Sequence, residues 1–408
     1  MMLCFFWIVL SLAALVFVGY MVMWCSAARR RLFLPTDVSE HGGHDPAYWP
    51  PVAIVVPARN EADTLEHTLP TWLAQDYPNL KKVLLVDDRS DDLTGARALE
   101  LSAKTNRPEL LEVLTNAPLP KKWAGKVWAM NNGLEAVLQD ESIEYVLLTD
   151  ADIAHKPDSL RKLVRQSENK QLGFNSRMAR LQCESFAEKW LIPPFLYFFL
   201  LLYPLRKAND PRCRMASGAG GCVLLSREAI RRLGGGLHEI KDCIIDDVNL
   251  AKAVKRNGLP IHLSLSVHTV KSTRPYPRVR DIAKMVNRSA YCQLNYNPLL
   301  LSLTLLVMGI VFIVPTIAII LGSYSMKHPH AFTGEARSLW LWSSFLTELG
   351  LAALILQMAH FKQALDFFNL NPWRMFTFPL AGLAYATMTL QSALRHWTRK
   401  KTTWREKE

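Results

Sequence analysis

The sequence predicts an α/β domain, with a mostly parallel sheet and helices on both faces, that is joined to transmembrane helices. Short apolar runs alternate with amphipathic helical patterns over residues 52–149, an order typical of a parallel sheet. Long apolar runs flank this region on both sides. The 408 residues are 50% hydrophobic and 21% charged, and the mean hydropathy is +0.06. This mixture indicates a water-soluble domain fused to membrane segments.

A membrane anchor is predicted over residues 1–28, which carry no charge and precede three arginines at positions 29–31. About 20 apolar residues suffice to span a bilayer. A cleaved signal peptide carries its positive charge before the apolar core, and this run carries it afterwards. The arginines therefore place the following domain in the cytoplasm.

A C-terminal membrane region is predicted over residues 298–394, with apolar runs at 298–321, 338–360 and 375–394. The basic tail, residues 395–408, carries six Lys and Arg side chains, which the positive-inside rule keeps in the cytoplasm. We therefore expect three full spans, a fourth segment that does not cross, and a cytoplasmic C-terminus.

Residues 185–205 include another apolar stretch, with two prolines near its start. It is short for a span, so it is either a buried core helix or a helix lying at the membrane interface. We favour the interfacial helix.

The soluble domain is predicted over residues 50–297. Its strands are expected at 52–56, 82–86, 112–115 and 145–149. Its helices are expected at 61–73, between the second and third strands with an end at about residue 103, and at 127–138. The seven cysteines form no C-x-x-C pair, so neither a zinc site nor a disulfide framework is indicated.

Acidic pairs follow two of these strands: Asp87 and Asp88, then Asp150 and Asp152. Ligands of open α/β sheets bind beyond the carboxyl ends of the strands, so we expect both pairs to line one crevice. Neither a dinucleotide fingerprint nor a Walker loop is present. A divalent cation held by hard carboxylate oxygens is then the way to hold a diphosphate. The alternative for Asp150 and Asp152 is a pair of surface aspartates that cap the next helix.

An ordered set of motifs resembles the family 2 glycosyltransferases, with their GT-A fold, over about residues 50–300. The set comprises VVPARNE (55–61), VDDRSDD (86–92), GKVWAMNNG (125–133), TDAD (149–152), SGAGG (217–221) and IDDVNL (245–250). The flanking membrane segments resemble those of the membrane-bound, processive-synthase and ceramide glucosyltransferase-like branch. More narrowly, PARNEADTL (57–65), WAGKVWAMNNGL (123–134) and TDADIAHKP (149–157) resemble the bacterial hopanoid-associated glycosyltransferases.

The resemblance implies a site for a nucleotide-sugar donor. The residues implied to line it are Pro57, Ala58, Arg59, Asn60, Glu61, Asp87, Asp88, Lys126 and Asp150. Asp150 and Asp152 would hold Mn²⁺ or Mg²⁺, with Asp152 as the direct ligand. The alternatives are an Asx turn with a helix cap for Asp87 and Asp88, and a solvated lysine for Lys126.

The resemblance also implies the catalytic residues. Asp247 would take the proton of the acceptor hydroxyl, and the like charge of Asp246 would raise its pKa. The alternative is a capped helix start. An acceptor-site loop is implied at Gly218, Gly220 and Gly221.

Related synthases carry Gln-x-x-Arg-Trp before the next membrane segment, and residues 285–289 keep only Arg288. Arg288 would stabilise the leaving diphosphate. The missing tryptophan disfavours a polymer channel.

The resulting hypothesis is an inverting transfer of a sugar from a nucleotide-diphosphate donor, a UDP-sugar, to a membrane lipid. The acceptor would be a hopanoid or another isoprenoid or sphingolipid-like lipid. We expect a multi-pass protein of the bacterial inner membrane with its catalytic domain facing the cytoplasm. The net charge of +12 by itself also allows nucleic acid, which the hypothesis excludes. The alternatives are a polysaccharide synthase-like transferase and an inactive membrane-anchored module that binds nucleotide sugars.

Overall fold

The computed structural model describes residues 2–26, 32–37, 44–243, 245–328 and 336–398. The arginines at positions 29–31, and the tail from position 399, lie outside these residues. Topology predictions that rest on their charge therefore stay predictions.

The chain divides into two compact units. The sheet unit comprises Phe33–Gln182 and Leu202–Pro275, and the helical unit comprises Met1–Leu32, Cys183–Leu201 and Tyr276–Lys401. The helices are α1 (Met2–Cys25), α2 (Ala62–Leu73), α3 (Thr94–Ser102), α4 (Gly125–Val137), α5 (Ser159–Lys170), α6 (Phe186–Leu202), α7 (Leu205–Asn209), α8 (Arg227–Arg232), α9 (Asp246–Arg256), α10 (Val279–Gln293), α11 (Pro298–Lys327), α12 (Ala336–Phe367) and α13 (Phe378–Trp397).

A seven-stranded sheet forms the centre of the sheet unit, within the residues that the structure describes. The strands of this unit are β1 (Val52–Ala58), β2 (Leu80–Asp87), β3 (Leu111–Thr115), β4 (Tyr145–Thr149), β5 (Ile153–His155), β6 (Phe174–Met178), β7 (Cys222–Ser226), β8 (Ile261–Leu265) and β9 (Val270–Ser272). The sheet order is β3-β2-β1-β4-β7-β6-β8, and β5 pairs with β9 separately. Neighbouring strands of the large sheet are parallel, except that β7 runs antiparallel to β4 and β6.

Strand β1 shows why helices cover both faces of the sheet. All of its residues are buried, as expected for a central parallel strand. Ile54 shares one apolar cluster with Leu69 of α2, whereas Val55 shares another with Leu134 of α4. Successive strand residues point to opposite faces, so the two clusters lie on opposite sides of the sheet. The predicted α/β fold is confirmed.

The segment at residues 35–37 lies along the edge strand β8. The backbone N–H of Leu265 donates to the carbonyl of Pro35 at 3.1 Å, and the N–H of Asp37 donates to the carbonyl of Leu265 at 2.9 Å. The Asp37 carboxylate then fills the turn between β8 and β9. It accepts hydrogen bonds from the backbone of Val267, His268 and Thr269 and from the hydroxyls of Ser266 and Thr269. This turn separates β8 from β9.

The helical unit contains three helices long and apolar enough to cross a membrane, counted over the described residues. They are Cys4–Cys25, Pro298–Lys327 and Trp340–Phe367. Helix α13, which corresponds to the fourth predicted segment, is not among them and follows a 3₁₀ turn at Pro372–Thr377. The protein therefore has the elements of a membrane protein.

Helix α6 covers the apolar stretch that was predicted to lie at the membrane interface. The Tyr385 hydroxyl donates to the carbonyl of Leu191 at 2.7 Å, and the Tyr197 hydroxyl lies 2.9 Å from Nδ1 of His360. Leu191 and Tyr197 are buried. One side of α6 thus packs inside the helical unit, and its interfacial position stays a prediction.

Candidate active site

Several loops meet at one edge of the large sheet. Strands β1, β2 and β4 are adjacent and parallel, so the loops that follow them begin at the same edge. Strand β7 runs antiparallel to β4, and its first residue, Cys222, pairs with Thr149 at the end of β4. The glycine-containing loop before β7 therefore reaches this edge as well, which is where α/β sheets bind ligands.

The loop after β1 is tied to the loop after β2. Pro57 and Ala58 end β1 and are buried. Asn60 has a left-handed backbone, with φ of 53°, a conformation that asparagine tolerates better than most residues. Its N–H donates to Ser90 Oγ at 3.0 Å, and its Oδ1 accepts the N–H of Asp91 at 2.9 Å. The two loops therefore form one wall.

Asp87 and Asp88 differ in their hydrogen bonds. Asp87 Oδ1 accepts the N–H of Ser90, three residues further along the chain, at 3.0 Å. Asp88 is 4% exposed; its Oδ1 accepts from Asn116 Nδ2 at 2.7 Å, and its Oδ2 lies 3.2 Å from Arg59 NH1. Contact of this pair with a nucleotide stays a prediction.

Lys126, in the first turn of α4, joins the loop after β4 to the start of α9. Its Nζ lies 2.8 Å from Asp150 Oδ1 and 3.1 Å from Asp246 Oδ2, and its side chain is 19% exposed. Burial opposes the charge of Lys126, but Asp150 and Asp246 outweigh burial and raise its pKa. The pKa of Asp150 is itself raised, by burial first and by the charges of Asp152 and Asp246, against the lowering effect of Lys126. The negative charges of these carboxylates thus exceed the single positive charge of the Lys126 ammonium group.

Asp247 contacts the glycine-containing loop. Its Oδ2 accepts the N–H of Gly220 at 2.9 Å, and its Oδ1 accepts the N–H of Val248 at 2.8 Å. Burial, followed by the charge of Asp246, raises the pKa of Asp247 to about 7. A carboxylate with a pKa near neutrality is suited to general-base catalysis.

The glycines allow this close approach. A Cβ on Gly220 would lie 3.2 Å from Lys126 Nζ, and a Cβ on Gly218 would lie 2.9 Å from the carbonyl oxygen of Asp247. The carbonyl of Gly221 accepts the hydroxyl of Thr149 at 2.8 Å. The loop is therefore held against both β4 and α9.

Asp152 is bound by an arginine that the sequence did not indicate. Arg274 Nε donates to Asp152 Oδ2 at 2.7 Å, and its NH2 donates to Glu61 Oε1 at 3.0 Å. The Asp152 side chain is 13% exposed and that of Glu61 is 8% exposed. Arg274 follows β9 but belongs to no spacing motif, so nothing in the sequence marks it.

The acidic residues can be tested against a divalent cation. Among the described residues, no group of three or more His, Cys, Asp or Glu is arranged to hold a metal ion. Mg²⁺, however, commonly takes only one or two carboxylates, with water and substrate phosphates as its other ligands. Asp150 and Asp152 supply two such carboxylates, and each already holds a cationic side chain. Their chemistry therefore fits Mn²⁺ or Mg²⁺ bound together with a diphosphate.

Arg288 is the one predicted site residue that lies outside the sheet unit. It is exposed on α10, in the helical unit. Its role with a leaving diphosphate stays a prediction.

Residues 53–234 match the model of the glycosyl transferase family 2. No curated protein sequence matches the chain.

Solved structures give a further comparison. The chain is similar to the mannosyltransferase PcManGT from Pyrobaculum calidifontis, solved with GDP-Man and Mn²⁺, at 19% identity and a TM-score of 0.53, over 96% of this chain and 100% of that one. Matches with lower TM-scores include glucosyl-3-phosphoglycerate synthase from Mycobacterium tuberculosis, at 18% identity, 62% and 87% coverage and a TM-score of 0.38. TarS from S. aureus matches at 14% identity, 59% and 40% coverage and a TM-score of 0.39.

The match over residues 53–234 and the observed fold indicate a glycosyltransferase with the GT-A fold.

Proposed function

We propose that this glycosyltransferase moves a sugar, with inversion, from a nucleoside-diphosphate sugar to a hydroxyl of a membrane lipid. One observation carries the proposal. Lys126 bridges Asp150 and Asp246, at 2.8 and 3.1 Å, and Gly220 joins Asp247 to the same cluster at 2.9 Å. The acids expected to hold the donor and those expected to activate the acceptor thus share one crevice.

A UDP-sugar is the donor we expect, with the nucleotide held by the loop at residues 57–61 and by Asp87 and Asp88. Asp88 has one carboxylate oxygen on Asn116 and the other on Arg59, so it is held in one orientation before a ligand arrives. Because PcManGT was solved with GDP-Man, GDP-sugars are the matched alternative.

Asp150 and Asp152 would hold Mn²⁺ or Mg²⁺ when the donor is bound. A divalent cation there would neutralise the negative charge of the departing diphosphate. Lys126 lies on the same cluster and contributes a fixed positive charge, and Arg288 stays a candidate for a second one.

Asp247 acts on the acceptor. Its carboxylate takes the proton of the acceptor hydroxyl as the oxygen forms its bond to the anomeric carbon. The bond between that carbon and the diphosphate breaks on the opposite face, and the nucleoside diphosphate leaves with the bonding electron pair. The raised pKa of Asp247 favours its acceptance of this proton.

The lipid acceptor is supported by the helical unit, which contains three helices long and apolar enough to cross a membrane. The resemblance to hopanoid-associated enzymes makes a hopanoid the first acceptor to test, followed by other isoprenoid or sphingolipid-like lipids. Transfer of a single sugar is favoured over polysaccharide synthesis, because residues 285–289 lack the tryptophan of the synthases.

The test uses detergent-solubilised protein with a panel of UDP- and GDP-sugars, with and without membrane lipid extract. We expect lipid-dependent nucleotide release that EDTA abolishes and that Mn²⁺ or Mg²⁺ restores. Asp152→Asn should weaken donor binding as well as turnover. Full activity in EDTA would contradict the metal role. Nucleotide release at the same rate with and without lipid extract would contradict the lipid acceptor.

We further propose three spans in a bacterial inner membrane, with the sheet unit in the cytoplasm and α13 not crossing. A phosphatase and a fluorescent reporter fused in turn after residue 408 test this topology. Fluorescence without phosphatase activity is expected, and phosphatase activity without fluorescence would demonstrate a fourth span.

A further inference from the structure

Arg274 bonds the carboxylate that the proposed function assigns to the metal. The guanidinium lies between two acids of different loops, at 2.7 Å from Asp152 Oδ2 and 3.0 Å from Glu61 Oε1. Its side chain is 35% exposed, whereas both acids are mostly buried. The positive charge of Arg274 thus contacts an Asp152 oxygen that a bound cation would need.

The backbone of Arg274 is held firmly at this position. Strands β5 and β9 pair antiparallel, with Ile153 opposite Ser272. Both the N–H and the hydroxyl of Thr273 donate to the carbonyl of Asp152, at 2.8 and 2.9 Å. The side chain can therefore change partner while its Cα stays beside Asp152.

Asp152 and a bound diphosphate are alternative partners for the guanidinium of Arg274. In the structure, Asp152 is the carboxylate that its Nε bonds. A diphosphate in the crevice offers phosphate oxygens, to which a guanidinium binds strongly and often with two parallel hydrogen bonds. A divalent cation on Asp152 would meanwhile repel the guanidinium from its first partner.

We propose that Arg274 couples the binding of the divalent cation to the binding of the nucleoside diphosphate. Without the diphosphate, Arg274 occupies Asp152 and keeps the affinity for the metal ion low. With the diphosphate, Arg274 transfers to the phosphate oxygens and leaves Asp152 to the metal ion. This inference rests on the proposed function, because it takes Asp152 as a metal ligand.

Linkage makes the coupling measurable. If the nucleotide raises the affinity for Mn²⁺ by some factor, Mn²⁺ raises the affinity for the nucleotide by the same factor. Removing the charge of Arg274 should strengthen the binding of Mn²⁺ alone and diminish this factor. If the role of Arg274 were purely structural, removing its charge would neither strengthen the binding of Mn²⁺ alone nor diminish the coupling factor.

The experiment measures Mn²⁺ binding to the full-length protein in detergent, by the electron paramagnetic resonance signal of free Mn²⁺. Titrations are run without nucleotide, with UDP and with GDP, and the binding of Mn²⁺ to each nucleotide in solution is measured separately. Arg274→Gln removes the charge, and Arg274→Lys retains it. Lys271→Gln is the matched control, because Lys271 is an exposed cation on β9, the strand that Arg274 follows.

For Arg274→Gln we expect Mn²⁺ alone to bind about tenfold more tightly, the size of one charge-assisted hydrogen bond. The enhancement by the nucleotide should fall by a similar factor. Arg274→Lys should stay near the wild-type protein for Mn²⁺ alone, and Lys271→Gln should match it throughout. If Arg274→Gln does not fold, a tighter binding of Mn²⁺ alone by Arg274→Lys overturns the inference, since the lysine retains the charge.

Two failures are distinguishable with Asp152→Asn as the reference. If Asp152→Asn loses Mn²⁺ binding but Arg274→Gln keeps wild-type constants, the coupling role is overturned and the metal site stands. If the wild-type protein and Asp152→Asn bind Mn²⁺ equally with both nucleotides, the metal site fails, and the coupling role fails with it.

Discussion

Asp37 and Asp247 are aspartates of the same unit whose pKa values are shifted in opposite directions. Burial acts to raise the pKa of Asp37, but hydrogen bonds from Thr269, Val267 and His268 outweigh it and lower the pKa to about 2. Burial and the charge of Asp246 raise the pKa of Asp247 to about 7, although the hydrogen bonds that it accepts from two N–H groups act to lower it.

The difference separates a structural carboxylate from a reactive one. Asp37 receives neutral donors that stabilise its anion and fix the segment before β1 to the turn between β8 and β9. The two N–H hydrogen bonds compensate the negative charge of Asp247 only in part, and another acid lies beside it. Its anion is therefore high in free energy and binds a proton readily. Perturbed carboxylates of this second kind cluster at functional sites.

The largest expected effect is that of Asp247→Asn on catalysis. The amide cannot accept the acceptor proton, so kcat should fall by roughly 10²-fold or more. Steady-state kinetics and donor titration measure the two quantities, and the donor dissociation constant should stay within a few-fold. Asp140→Asn, in the loop between α4 and β4, is the control, and a normal kcat for Asp247→Asn would direct attention to Asp246 as the base.

Asp37→Asn should act on stability and leave kcat unchanged. The amide replaces an acceptor oxygen by a donor that faces N–H groups, which should cost about 1–3 kcal/mol of unfolding free energy. Thermal unfolding of the detergent-solubilised protein checks this. The control is Asp45→Asn, which replaces a surface aspartate. A loss of kcat without a loss of stability would abolish the distinction between the two aspartates.

The pH dependence of that stability follows from the lowered pKa of Asp37. A carboxylate whose pKa falls on folding stabilises the protein at pH values above its unfolded pKa. The contribution of Asp37 should therefore be present above about pH 4 and be lost as the pH falls towards about 2. Wild-type protein should lose more stability over this interval than Asp37→Asn, whereas equal losses would contradict the shift.

The smallest expected effect is that of Asp246→Asn on the pH profile. Transfer needs the Asp247 carboxylate deprotonated, so wild-type activity should rise with pH through about 7. Removing the neighbouring negative charge should lower the pKa of Asp247 and move this rise to lower pH, by roughly one unit. The pH dependence of kcat/KM measures the displacement, and an unchanged profile would assign the limb to another group.

Much of the fold and of the candidate site could be predicted from local patterns. Apolar runs and helical periodicity report burial directly, so the strands and helices of residues 52–149 were predicted within a few residues. The acidic pairs at the ends of β2 and β4 were placed at one sheet edge because parallel strands share their carboxyl ends. The resemblance predicted Lys126 to line the donor site, and the structure adds its contacts with Asp150 and Asp246.

The sequence by itself determined the alternation of strands and helices, the acidic loops and the apolar segments. The tertiary structure alone decided the partners of Asp152 and Asp37. Arg274 meets Asp152 across 122 positions of the chain, and Asp37 meets Thr269 across 232. Periodicity records whether a residue is buried, but it carries no information about which distant polar group it meets. That choice depends on how β8 returns to β6 and how β9 returns to β5, which only the folded chain specifies.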